Sequence, residues 1–306
     1  MTEKVTRGAP VCFILAPDHH GAEYLSAALN NHPDIFAPGA TNPVRGAGQK
    51  CSCGEEVETC PFWTAMAEKA GVEEDDPFPR MMPQAPHLVG NERINSWLNG
   101  ALATLAHTLD SRCWKMVYEQ AERFFNMYDR FYAAAREWAP HKVFVDGERS
   151  NIKFMTQASM GFPVRAIIHI VRDPRDICAI QKRYYPEIPV ETTAQAWLAA
   201  HDRIRRLSLM FRKPPYIKVR YEDIIADSRM AADRIVAFLG LPEGEQVSSV
   251  EMAYKNHMIA AEGADAPWDL GKAQETAAFD LSAEDEDKVL EVTAQVFEEF
   301  GYKRKN

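Results

Sequence analysis

Residues 11–31 read VCFILAPDHHGAEYLSAALNN, and this stretch decides the fold. Val11–Ala16 is a continuous apolar run of buried-strand length. Pro17-Asp18-His19-His20-Gly21 is turn chemistry. Tyr24, Leu25, Ala28 and Leu29 then recur at helical spacing over Ala22–Asn31. Strand, glycine turn and helix form the opening unit of an α/β sheet. Three later runs repeat the strand signal: KVFVD (Lys142–Asp146), RAIIHIVR (Arg165–Arg172) and PYIKVR (Pro215–Arg220). Helices are expected after each. Strands buried on both faces read as near-continuous apolar runs, as these do. The predicted fold class is α/β, a central mostly parallel sheet flanked by helices. A single domain over residues 1–306 is expected, with a loop and helical insertion at about 37–140.

The insertion has its own texture. Residues 37–62 are rich in Pro, Gly and Cys and read as loop. Residues 71–90 carry acids and four prolines, the composition of an exposed connection. Ile94–Leu109 and Glu119–Trp138 have helical periodicity. In the second, Phe124, Phe125, Tyr128, Phe131, Tyr132 and Ala135 share a face that reads as core rather than as a substrate cage.

Composition excludes several classes. Hydrophobic residues at 46% and charged residues at 26% exclude a disordered chain. No apolar run approaches the ~20 residues of a membrane helix. Residues 1–10 lack the apolar core of an export signal, so a cytoplasmic chain with reduced cysteines is expected. A net charge of −9 argues against a nucleic-acid face. A homo-oligomer remains open.

Ligands of open α/β sheets sit at the carboxyl ends of the strands. Three such ends are polar here: Asp18–Gly21, Asp146–Ser150 and Arg172–Asp176. They are expected to converge on one crevice. His19 and Glu23 are four apart and His20 and Glu23 three apart, so either pair can share a helix face. Two imidazoles and a carboxylate suit a divalent transition metal such as zinc or iron(II). Asp146, Glu148 or His169 could complete that set. Cys51, Cys53 and Cys60 form C-x-C-x6-C, three thiols with no evident fourth ligand. The favoured reading is a loop packing Cys60-Pro61-Phe62-Trp63 against the core, with a structural zinc or a redox disulfide as alternatives. Arg172-Asp173-Pro174-Arg175-Asp176 can form an internal salt-bridged turn, capped at Asp173 with Pro174 in the first helical turn.

Several segments, in order, resemble the sulfotransferase family. FILAPDHHGAEYLSAALNNHPDI (Phe13–Ile35) is similar to the family's phosphosulfate loop and its H-P motif. HIVRDPRDI (His169–Ile177) is similar to its 3′-phosphate segment. YIKVRYEDIIADSRMAADRIVAFLGLP (Tyr216–Pro242) is similar to its V-R-Y-E-D-L and F-L-G-L-P stretches. CSCGEEVETCPFW (Cys51–Trp63) resembles a Cys-rich insert of bacterial members, and Trp268 and Gly301-Tyr302 fit its C-terminal part.

The resemblance implies a P-loop-like fold. It implies transfer of a sulfuryl group from 3′-phosphoadenosine 5′-phosphosulfate to the hydroxyl or amine of a small-molecule acceptor. His19 falls where the family has Lys or Arg, His20 where it has Ser, and Ala22 and Glu23 where it has hydroxyls. By carry-over, the donor would be held by His19, Gly21, Ala22, Arg149, Arg172 and Trp268. His19, His20 and Glu23 would do the chemistry. Two alternatives accompany this reading: the same scaffold doing metal or acid–base chemistry at His19, His20 and Glu23 without the nucleotide, and a non-catalytic binding protein.

Overall fold

A computed structural model describes residues 10–41, 48–72, 82, 85–105, 111–140, 143–147, 150–210, 214–244, 257–259 and 281–303. Arg149 and Trp268, two of the expected donor-binding residues, lie outside these, as does Glu148.

The sheet has five strands in the order β2-β3-β1-β4-β5, every neighbouring pair parallel. β1 (Val11–Leu15), β3 (Val143–Asp146), β4 (Val164–Val171) and β5 (Tyr216–Arg220) fall on the four apolar runs. β2 (Ile35–Phe36) is an edge strand that two apolar residues do not announce. Side chains build it: Asn30 donates to the Ala37 carbonyl at 2.7 Å and accepts from the Ala37 N–H at 2.8 Å. That bidentate clasp fixes the chain as it leaves α1 (Ala22–Leu29).

Alternation along the strands splits the core in two. Val11, Phe13 and Leu15 face one cluster with Phe36, Phe144 and Ile167. Cys12 and Ile14 face the other, with Leu25, Leu29, Val143, Val145, Ile168 and Ile170. The first cluster packs against α2 (Pro61–Ala70) and α4 (Ser111–Trp138). The aromatic face of α4 is core: Tyr128, Phe131 and Tyr132 are buried. The helix starts at Ser111, eight residues before the sequence expectation. α3 (Glu92–Leu105) precedes it.

α5 (Asn151–Ser159) follows β3, α6 (Pro174–Tyr184) and α7 (Val190–Met210) follow β4, and α8 (Tyr221–Ala226) and α9 (Ser228–Phe238) follow β5. α10 (Ala283–Phe297) packs its Val296 and Phe297, with Phe300 and Tyr302 beyond it, against Val171 and Trp197. His32 joins two distant motifs. Its Nε2–H donates to the Pro242 carbonyl at 2.8 Å and its Nδ1 accepts from the Asp34 N–H at 3.1 Å. The H-P turn after α1 is thereby pinned to the G-L-P turn after α9.

Candidate active site at the strand ends

β1 lies between β3 and β4, and the chain crosses from one side of β1 to the other between these strands. Their carboxyl ends form the topological switch point where open sheets bind ligands. Two of the three polar strand ends meet there: Arg172 reaches the His19 carbonyl, while Asp146 and Gly147 of the third approach Thr41, Ser26 and Gly39.

The loop after β1 is shaped by two left-handed residues, His19 (φ 62°) and Gly21 (φ 77°). Glycine is required at 21 twice over. Its φ disfavours a side chain, and a Cβ would lie 2.7 Å from the Tyr221 ring. Gly21 is the N-cap of α1 and no side chain caps that helix. Backbone N–H groups at such an end suit phosphate oxygens. Glu23 lies in the first turn, half-buried. At the end of β3, a Cβ on Gly147 would meet Ser26 Oγ at 2.8 Å and the Gly39 carbonyl carbon at 2.9 Å. Close approach of these two loops demands glycine there.

His19 and His20 part company. His19 is exposed, while His20 is 1% exposed and turned inward. His20 Nδ1 lies 2.7 Å from the Asp18 carbonyl, which can only accept, so Nδ1 carries the proton. Its Nε2 then accepts from His201 Nε2–H at 3.2 Å. His201 Nδ1 accepts from His169 Nε2–H at 2.7 Å. His169 Nδ1 accepts from the Tyr216 hydroxyl at 2.6 Å. With the rings neutral, one carbonyl at the end sets the tautomer of all three. Burial is the main cause holding His169 down to about 3. Burial also holds His201 well below the usual imidazole range. The sequence reading missed His201. Its signal was a polar residue on the buried stripe of α7, which also carries Ala194, Trp197 and Ile204.

His19, His20 and Glu23 are therefore not gathered as a ligand set. Both ring nitrogens of His20 are engaged, and His169 is locked between His201 and Tyr216. Asp146 is engaged too. It forms a fully buried ion pair with Lys153 at 2.5 Å and accepts from the Tyr132 hydroxyl at 2.5 Å. Lys153 Nζ also lies 2.5 Å from Thr41 Oγ1 and 3.8 Å from the centre of the Tyr128 ring.

Arg172 is buried beside the loop. Its Nε donates to Asp176 at 2.7 Å and its Nη1 to the His19 carbonyl at 2.6 Å. The guanidinium stacks 3.9 Å from the centre of the Tyr221 ring. Burial pushes the Asp176 carboxyl above its usual range, opposed by Arg172. The salt-bridged turn is present as expected: Asp173 caps α6 by accepting from the Arg175 N–H at 2.9 Å, with Pro174 in the first turn. Glu222 joins this turn to the C-terminal segment. It accepts from the Asp173 N–H at 2.9 Å and from the Tyr302 hydroxyl at 3.2 Å. Burial raises the Glu222 carboxyl above its usual range.

A sequence model described as the sulfotransferase family matches residues 10–245. No curated protein matches the chain. Among solved structures, the sulfotransferase domain of the Synechococcus PCC 7002 olefin synthase is similar at 16% identity with a TM-score of 0.53, over 100% of this chain and 99% of that one. The sulfotransferase STF9 from Mycobacterium avium is similar at 12% identity with a TM-score of 0.50, over 96% of this chain and 78% of that one. At these identities the likeness is one of fold.

Proposed function

From the premise that this chain belongs to the sulfotransferase family, we propose that it transfers a sulfuryl group from 3′-phosphoadenosine 5′-phosphosulfate to the hydroxyl or amine of a small-molecule acceptor. The observation that carries the reading is the uncapped N-terminus of α1 behind the left-handed Gly21, at the sheet's switch point. That backbone fits the phosphate half of such a donor. When bound, the donor supplies an activated sulfuryl group whose leaving oxygen gains negative charge.

Gly21 and Ala22 would present backbone N–H groups to that charge. His19, the exposed imidazole of the loop, would donate a proton or hydrogen bond where the family has a permanent cation. His20 would act as a positioning residue, holding the loop through His201. Arg172 would hold the loop through the His19 carbonyl and turn toward the 3′-phosphate at the expense of Asp176. Arg149 and Trp268 complete the proposed donor site by family position. The alternative of metal or acid–base chemistry at His19, His20 and Glu23 is disfavoured by the inward turn of His20. The test is release of 3′-phosphoadenosine 5′-phosphate by the full chain over a panel of hydroxyl and amine acceptors. Acceptor-dependent release that falls in His19→Ala supports the proposal. Release equal to an enzyme-free control for every acceptor opposes it.

A further inference from the structure

Three thiols of the insertion and one imidazole from far along the chain meet at a point. The ligand atoms of Cys51, Cys53, Cys60 and His257 all lie within 4.8 Å of one another. Cys60 Sγ is 3.6 Å from Cys51 Sγ and 3.6 Å from Cys53 Sγ. His257 Nδ1 is 3.5 Å from Cys51 Sγ and 3.3 Å from Cys60 Sγ.

Tetrahedral zinc fixes these separations in advance. With Zn–S near ~2.3 Å and Zn–N near ~2.05 Å, the S···S edges are about 3.8 Å and the S···N edges about 3.5 Å. Four of the six ligand separations lie within about 0.3 Å of these edges, and all six are within 4.8 Å. A disulfide is a different object, with sulfurs about 2.05 Å apart, and these cysteines are free. The fourth ligand that C-x-C-x6-C lacked comes from 197 positions beyond Cys60.

The backbone is arranged to hold the set. The Gly54 N–H donates to the Cys51 carbonyl at 2.9 Å and the Cys51 N–H to the Glu55 carbonyl at 2.8 Å, closing a tight turn that carries Cys51 and Cys53. Cys60 is the N-cap of α2, where the helix dipole favours a thiolate. The Ser52 N–H donates to the Met258 carbonyl at 2.8 Å, and Cys51 bridges Ile259. The His257 ring stacks on Phe62 with centroids 4.8 Å apart, and its carbonyl accepts from Trp63 Nε1 at 3.0 Å. Cys51, Cys60 and His257 are all buried. Thiolates buried together need a cation between them.

We propose that Cys51, Cys53, Cys60 and His257 bind one zinc ion as a closed structural site that clasps the insertion to the 257–259 segment. Four protein ligands leave no open position for a substrate. Loading the site releases the remaining thiol protons to solvent.

The experiment uses the full chain purified under reducing conditions without chelator. Elemental analysis is expected to return one zinc per chain. Alkylation of the wild-type thiols should then release that zinc stoichiometrically, a readout that needs no variant to fold. Cobalt(II) exchanged into the site should show tetrahedral d–d bands and thiolate charge transfer. Cys53→Ser, altering the least buried ligand, should retain helical circular dichroism and lose at least ~100-fold in zinc affinity by chelator competition. Folded protein that takes up no stoichiometric zinc on reconstitution would overturn the assignment. So would octahedral cobalt, or iron in place of zinc.

Discussion

His19, His20 and Glu23 fall within five consecutive positions, and the side chains of His19 and His20 diverge. Cys51 and His257 are 206 positions apart, and their side chains touch. The difference lies in what the backbone does. In the strand-end loop two left-handed residues separated by one position send His19 outward and His20 inward. In the cysteine–histidine cluster, main-chain bridges draw two segments together and every ligand faces one point. The first arrangement leaves a side chain and a helix end for an outside ligand. The second spends its polar groups on each other. Clustering along the chain therefore marks neither kind of site by itself.

The contrast between an open loop and a closed interior can be broken by measurement. Asp146→Asn removes the charge partner of buried Lys153 at the end of β3. It is expected to lower unfolding free energy by about 3–5 kcal/mol, the cost of breaking a buried pair. Urea denaturation measures this, and a loss below ~1 kcal/mol would place Asp146 with the open loop instead.

Acid should loosen the histidine relay next. His169 is held down to about 3, and His201 is also depressed. Below the unfolded value of ~6.5 the unfolded chain takes up protons that the folded rings refuse, so stability falls as pH falls. The limit is ~1.4 kcal/mol per pH unit for each ring. Denaturation midpoints between about pH 6.5 and 5 isolate these rings from most carboxylates. A flat profile across that window would mean the rings bind protons in the folded state.

His201→Phe leaves His20 Nε2 and His169 Nε2–H without their partner. About 1–3 kcal/mol of stability is expected to go for each stranded group. Turnover should fall as well if His201 holds the loop through His20. The smallest effect on stability belongs to His19→Ala, expected within about 0.5 kcal/mol because the side chain is exposed. Its effect should appear in turnover. A thermal shift larger than that of His201→Phe would invert the comparison.

The sheet was legible because VCFIL and RAIIHIV are long apolar runs with one physical interpretation. β2 was not, since Ile35 and Phe36 owe their strand to the Asn30 clasp rather than to a pattern. The salt-bridged turn at Arg172 was legible because Asp173 and Pro174 are local capping chemistry. Partners set by tertiary approach were not. Nothing beside Cys51 or His20 names His257 or His201, and only the fold brings them within reach.

The central claim is that the strand-end crevice still accepts the family's nucleotide. Titration calorimetry of 3′-phosphoadenosine 5′-phosphate into the full chain tests it most directly, with Arg172→Ala as the companion. The account predicts one binding site per chain and an affinity lowered by about 1.5–3 kcal/mol in the variant, roughly tenfold to more than a hundredfold. No binding by the folded wild type, or equal affinity in Arg172→Ala, would contradict it.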